Sequence, residues 1–303
     1  MILQTENLQK SFGEKLVLKG INLSVESGRA LGLLGRNGAG KTTTIRIIMQ
    51  VFSPDGGSVL LDGNPIGASK VKIGYLPEER GLYPKKPIMP QLIYFGKLNG
   101  LSGKQAEQSA DKLLNRLEMT EYRNKRLDTL SKGNQQKIQL IATLIADPDI
   151  VILDEPFSGL DPVNAMLLKD LVKELIGKGK IVLFSSHQMN YIEEFCSDIA
   201  ILNGGKIVLS GDIKEIKRSY DRKNIEIISV KAKSITDYIS ENLSALVSGI
   251  TYCDDIISLT LNNESDKQKL YSALSEFSAY IDEFKVKEPS LNEIFVHYTE
   301  EQI

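Results

Sequence analysis

A run of glycines, a lysine and hydroxyls sets the first chemical expectation: Gly35-Arg36-Asn37-Gly38-Ala39-Gly40-Lys41-Thr42-Thr43. Glycines let successive backbone N–H groups converge on one small anion without side-chain interference. Phosphate is the ligand that such a backbone suits. Lys41 is placed to reach the β and γ phosphates of a triphosphate, the Thr42 hydroxyl to ligate magnesium, and Thr43 to donate to an α-phosphate oxygen. A glycine-rich turn beside a surface lysine would need no particular neighbours. Here an apolar run, Ala30 to Leu34, precedes the loop and a helix-like stretch, Thr43 to Phe52, follows it. That strand, loop, helix order is the context of a P-loop, and the positive end of the helix adds to the attraction.

Three further groups bear on that phosphate. Asp154 and Glu155 follow the apolar segment Asp149 to Leu153. Alone, the pair reads as a helix cap at a strand end. Opposite a P-loop, Asp154 suits the magnesium shell and Glu155, facing differently, can polarise a water attacking the γ-phosphate. His187, in Ser185-Ser186-His187-Gln188 after the apolar Ile181 to Phe184, can hydrogen-bond the γ-phosphate and orient that water, whereas His297 reads as a structural or surface group. Leu130-Ser131-Lys132-Gly133-Asn134-Gln135-Gln136 opens a helix from Lys137 to Ile145. A serine there is an ordinary N-cap, and the same geometry offers a hydroxyl, backbone N–H groups and a helix dipole to an anion.

The elements that must position these groups follow from the hydrophobic pattern. Residues 1 to about 65 alternate apolar and polar positions with frequent turns, predicting an antiparallel β portion around the P-loop. Residues 88 to 146 carry apolar positions at helical spacing (Leu113, Leu114, Leu117), predicting a helical insertion. Asp149 to Leu153 and Ile181 to Phe184 suit buried parallel strands, with a crossover helix over Asn164 to Ile176 and another strand over Ile199 to Leu202. Near Ser210-Gly211-Asp212 this core runs out, and Lys214 to Tyr220 reads as a linking helix. The remainder has the order β-α-β-β-α-β: strands over Ile225 to Val230, Leu246 to Tyr252, Ile256 to Leu261 and Tyr280 to Val286, helices over Ile235 to Leu243 and Asp266 to Phe277, then a short helix over Leu291 to Tyr298. That order predicts a small ferredoxin-like domain.

Composition narrows the partners. With 303 residues, 42% hydrophobic and 25% charged, the chain has room for two domains. A net charge of −2 gives no electrostatic case for a nucleic-acid partner. Met1-Ile2-Leu3-Gln4 reads as no targeting signal, no apolar run is long enough to span a bilayer, and the isolated Cys196 and Cys253 read as packing residues of a reduced compartment. The expectation is a cytoplasmic protein that serves any membrane process by docking to a partner.

Over roughly residues 1 to 215 the motifs resemble the ATP-binding subunit of ABC transporters. Leu130-Ser131-Lys132-Gly133-Asn134 is similar to the family's signature Leu-Ser-Gly-Gly-Gln, Pro156-Phe157-Ser158-Gly159-Leu160-Asp161-Pro162 to its D-loop, and Ser186-His187 to its switch histidine. Phe12, in Lys10-Ser11-Phe12-Gly13, fits the aromatic that stacks on adenine, with ordinary core as the alternative. The resemblance implies ATP and magnesium as ligands and a head-to-tail dimer. In it, the P-loop of each copy (Gly35 to Thr43, with Lys41) faces Ser131 and Gly133 of the other. It further implies catalytic roles for Glu155, His187 and Lys41, and magnesium ligation by Thr42 and Asp154.

Two departures stand out. Glu78, in Tyr75-Leu76-Pro77-Glu78-Glu79-Arg80, occupies the place of a family glutamine that links magnesium to the membrane partner. Its charge can still ligate the metal, and Arg80 offsets it. Lys132 replaces a signature glycine, which requires a negative φ, and its ammonium either adds to phosphate binding or points to solvent. These departures, with the Pro289-Ser290-Leu291-Asn292-Glu293-Ile294-Phe295 ending, resemble the ATPases of ABC-2 type exporters, including sodium-export and drug or bacitracin resistance systems.

The expected fold is therefore α/β: a P-loop NTPase core of ABC type with an antiparallel β portion and a helical subdomain (about 88–146) in residues 1–215, and an accessory α+β ferredoxin-like domain in 216–303. The expected function is an ATPase that drives a separate ABC-2 membrane permease from the cytoplasmic face. An import motor with a ligand-sensing carboxyl-terminal domain and a non-transport ABC ATPase are the alternatives.

Overall fold

The computed structural model describes residues 1–79, 81–157, 160–186 and 188–300. They divide into two compact units, Met1–Ile213 with described residues 295–300, and Lys214–Ile294. The first unit begins with β1 (Ile2–Phe12), β2 (Lys15–Glu26), β3 (Ala30–Gly35), α1 (Lys41–Ile48), β4 (Gly56–Leu61), β5 (Asn64–Pro65) and β6 (Ile73–Leu76). Three helices follow, α2 (Ile88–Leu98), α3 (Gly103–Arg116) and α4 (Lys132–Leu144). Then come β7 (Ile150–Asp154), α5 (Pro162–Gly177), β8 (Ile181–Ser185), α6 (Met189–Phe195), β9 (Asp198–Asn203) and β10 (Lys206–Asp212).

Two sheets organise these elements. β2-β1-β4-β5 is antiparallel, and β10-β9-β3-β8-β7-β6 is parallel except for β10. The strands at the centre of the second sheet are buried almost throughout, as continuous Val/Ile/Leu runs must be when both faces are covered. Leu31, Leu33, Ile150, Ile152, Ile181 and Leu183 share one core with Leu18, Ile21 and Leu23 of β2 and Ile45 and Ile48 of α1. β3 lies between β8 and β9; the connection leaving β3 runs toward β6 and the one leaving β8 runs the opposite way to β9, so the topology switches between β3 and β8. Loops at the carboxyl ends of strands around such a point open onto a crevice, where ligands of open α/β sheets bind.

The helical stretch consists of α2, α3 and α4. α3 starts at a capping box in which Ser102 and Gln105 exchange hydrogen bonds, and it buries Ala106, Ala110 and Leu114. Two local expectations change. α1 ends at Ile48 rather than Phe52, because Gln50 adopts the left-handed conformation (φ 61°) that closes a helix. Ser210-Gly211-Asp212, near which the core was expected to run out, lies within β10, an edge strand with none of its residues fully buried.

α7 (Ile213–Ser219) leads to β11 (Asn224–Ser229), α8 (Ala232–Asn242), β12 (Val247–Cys253), β13 (Ile256–Leu261), α9 (Asp266–Ala273) and β14 (Ile281–Val286), and α10 (Leu291–Glu300) ends the described chain. The sheet order β12-β13-β11-β14, antiparallel throughout, is the ferredoxin-like arrangement. Ile225, Ile227, Ile257 and Leu259 pack from the strands against Ile235 and Ile239 of α8 and Leu270 of α9. The second helix is shorter than expected, turning into a 3₁₀ segment from Leu274 to Tyr280.

Candidate functional site

The loop between β3 and α1 is shaped from behind. Gly40 has φ 114°, and a Cβ there would come within 2.6 Å of Leu18 Cδ2, so only glycine fits. Gly40 is also the N-cap of α1 and makes no side-chain cap bond, which leaves the first-turn N–H groups directed toward a ligand. Arg36, Asn37 and Gly38 are exposed while Ala39 is buried, and Ala39 N–H donates to Arg36 O at 3.1 Å to close the turn. Thr42 is exposed and Thr43 half-buried at the start of the helix, whereas Thr44 points inward and donates to Gly40 O at 3.0 Å.

Lys41 donates to Gly35 O at 2.6 Å, folding its ammonium over the cradle. Burial pushes its pKa down, and the carboxylates of Glu155, Asp154 and Glu78 pull it back up, in that order of effect. The structure thus brings Lys41, Asp154, Glu155 and Glu78 into one electrostatic neighbourhood. Asp154, at the end of β7, is 7% exposed. One of its oxygens accepts from Ser185 Oγ, and the other accepts from Tyr75 Oη at 3.3 Å. Burial and the Asp154 charge push the Tyr75 pKa up to about 12. Glu155 is 8% exposed and accepts from Ser186 Oγ at 3.1 Å. Its backbone has φ 49°, a conformation that costs a residue with a side chain about 1–3 kcal/mol and turns Glu155 away from the strand direction that Asp154 follows.

Tyr75, Ser185 and Ser186 are site residues that local spacing does not single out. They reach the carboxylates through strand pairing: Ser185 of β8 lies opposite Asp154 of β7, and Tyr75 of β6 opposite Ile152. Below the loop after β7, Phe157 stacks on Tyr191 with ring centroids 4.0 Å apart and on Phe195 at 5.3 Å, anchoring the start of that loop to α6. His187, Arg80, Ser158 and Gly159 lie outside the described residues.

Phe12 is 46% exposed at the end of β1 and meets Phe52 edge-on at 5.6 Å, so its ring is open to a ligand rather than part of the core. Ser131 caps α4, its Oγ accepting from Asn134 N–H at 3.3 Å. Lys132 is helical, which meets the φ requirement, and exposed; Gly133 is buried in the first turn. Ser131 and Gly133 thus belong to a different element from the P-loop. Thr42, Asp154 and Glu78 offer a hydroxyl and two carboxylates, hard oxygen donors that suit magnesium. Among the described residues no three His, Cys, Asp or Glu converge as a metal cage. The arrangement can hold a triphosphate and present a buried carboxylate to its end.

Comparison with known proteins agrees with this geometry. Residues 18–158 match the ABC transporter family model, and residues 211–299 match the carboxyl-terminal domain of DrrA1-3-like ATP-binding proteins. The ABC transporter ATP-binding protein YhaQ of Bacillus subtilis (strain 168) is 42% identical over 301 residues, 97% of each chain. The linearmycin resistance ATP-binding protein LnrL of the same organism is 30% identical, over 98% of each chain. A solved dimeric structure of a bacterial ABC transporter cassette has the same fold, with a TM-score of 0.63 at 24% identity over 70% of this chain and 98% of that one. Glycine loop, strand-end carboxylates and a relative aligned along almost the whole length lead to one assignment: the chain belongs to the ATP-binding subunits of ABC transporters, a family of ATPases.

Proposed function

We propose that this chain is the motor of an ABC-2 type exporter, closing head to tail with a second copy around two ATP molecules. The observation that carries this reading is the separation of one P-loop and one signature serine onto different elements of a single chain. Each half-site then needs a second copy to complete it. Phe12 stacks on adenine, the N–H groups of Gly35 to Thr43 hold the phosphates, and Lys41 reaches the β and γ phosphates. Ser131 and Gly133 of the opposite copy close the γ-phosphate. Thr42, Asp154 and Glu78 are the residues that would hold magnesium, which when bound offsets the phosphate charge. Glu155, kept in place by Ser186, accepts the proton of the attacking water, and His187 orients that water. Loss of the γ-phosphate removes the charge that bridges the copies, and they part.

The export direction is supported by the carboxyl-terminal domain match and by a relative named for linearmycin resistance. Among the described residues no helix is long and apolar enough to cross a membrane. As a member of this family, the chain would act from the cytoplasmic face through a separate ABC-2 permease. The test is size-exclusion chromatography of Glu155→Gln with saturating ATP: a dimer is expected, and adding Ser131→Ala should return it to monomer. A Glu155→Gln chain that stays monomeric overturns the paired site. Reconstitution with a co-purifying permease tests the exporter half, the expected result being an ATPase rate that responds to transported substrate.

A further inference from the structure

The helix that begins at Ser131 also holds the segment that carries Glu78. Gln139 of α4 is 4% exposed, and its carboxamide donates to Pro77 O at 3.2 Å and to Glu79 O at 3.1 Å. Both amide hydrogens are used on the two carbonyls that bracket Glu78. One turn further on, on the same helix face, Thr143 Oγ1 shares its one hydrogen between Tyr75 O at 3.1 Å and Gln139 O at 3.0 Å. Tyr75 in turn donates its hydroxyl to Asp154. The contact is close at Gly74, where a Cβ would come within 2.7 Å of Thr143 O. α4 therefore grips the end of β6 by side-chain donors at two successive turns, and that strand end presents Tyr75 and Glu78 toward Lys41 and Asp154.

We infer that Gln139 is a positioning residue that locks the Glu78 segment to the helix capped by Ser131, so that the element facing a second copy and the element facing this chain's own phosphate move as one. The inference rests on the paired-site reading above, because only in a dimer do Ser131 and Glu78 of one chain serve different nucleotides. A buried amide whose two hydrogens both go to main-chain carbonyls is costly to replace, since a substitute without donors breaks both bonds at once. The lock transmits position: a shift of Glu78 on nucleotide binding drags α4, and a shift of Ser131 against the other copy moves Glu78. The two nucleotide sites are thereby coupled through one side chain in each copy.

The test uses full-length Gln139→Met, of similar volume without donors, and Gln139→Glu, which keeps the oxygen and loses the amide hydrogens. Both should raise the magnesium concentration for half-maximal ATP turnover by about tenfold, the scale of one or two lost hydrogen bonds. Both should also bring the Hill coefficient for ATP toward one, with metal-free nucleotide binding unchanged. A lower rate with wild-type magnesium dependence and cooperativity would reduce Gln139 to packing. Independent of any substitution at 139, hydrogen exchange on the Glu155→Gln chain should slow at residues 77–79 and 132–139 with a common ATP midpoint, and two separate midpoints would overturn the lock. A Glu155→Gln chain that stays monomeric refutes the paired-site reading whatever Gln139 does. A dimeric one, beside a Gln139→Met chain that behaves as wild type, refutes the lock alone.

Discussion

The two sheets that dominate the two units bury their residues differently. In the first unit every residue of β7 and β8 is buried, and polar groups gather where these strands end, at Asp154, Glu155, Ser185 and Ser186. In the second unit β11 and β13 alternate buried and open positions, and β12 has no fully buried residue. The first pattern leaves strand interiors no freedom and puts all the chemistry at their ends. The second leaves a whole sheet face outside the apolar core, with small polar residues such as Asn224 and Thr260 hydrogen-bonded on it. Polar groups able to do chemistry thus gather at a few strand ends in one unit, while the other must keep only one face of its sheet apolar.

The largest effect that would test this contrast is at Glu155. Its replacement by Gln should lower steady-state ATP turnover by about 10²–10⁴-fold, the usual contribution of a general base, while fluorescent-nucleotide titration shows binding intact. A change below tenfold would mean that the strand-end carboxylate is not the base. Next comes Ile227, fully buried in the second unit. Ile227→Ala should destabilise that unit by about 2–5 kcal/mol in denaturant titration. Nucleotide affinity should stay at the wild-type value if the units bear separate duties.

A smaller effect is expected at Tyr75. Tyr75→Phe should weaken magnesium-dependent nucleotide binding by about three- to tenfold, since Asp154 loses one orienting donor. Its pH signature has a definite sign. The phenol pKa is raised from 10.0 to about 12, so its stabilisation is complete below 10 and is lost as pH rises through about 12. Wild type should lose thermal stability across that window more steeply than Tyr75→Phe. The smallest effect belongs to the second unit's surface: Lys285→Ala removes a 2.7 Å ion pair with Glu226, and because Lys285 is exposed the denaturation midpoint should stay close to the wild-type value.

The P-loop, the strand-end carboxylates and the β-α-β-β-α-β order were legible because each is written in consecutive residues. Features set by pairing between distant segments were not. Tyr75 and Ser185 approach Asp154 only once β6, β7 and β8 align, and nothing near them in sequence announces that register. β10 was hidden for a different reason. As an edge strand it needs no buried alternation, so nothing around Ser210-Gly211-Asp212 marks a strand although its backbone pairs with β9. The ends of α1 and α9 were misjudged where apolar residues continue past the point at which the backbone leaves the helix.

Leu18 behind Gly40 has a consequence for binding entropy. The loop is moulded against β2, closed by the Ala39 to Arg36 bond and tied to Lys41 through Gly35 O. A cradle held by the chain's own contacts has little conformational freedom to lose on binding, so more of the contact energy appears as affinity. Trimming Leu18 would therefore weaken nucleotide binding by loosening a loop that the leucine itself never lets a ligand touch.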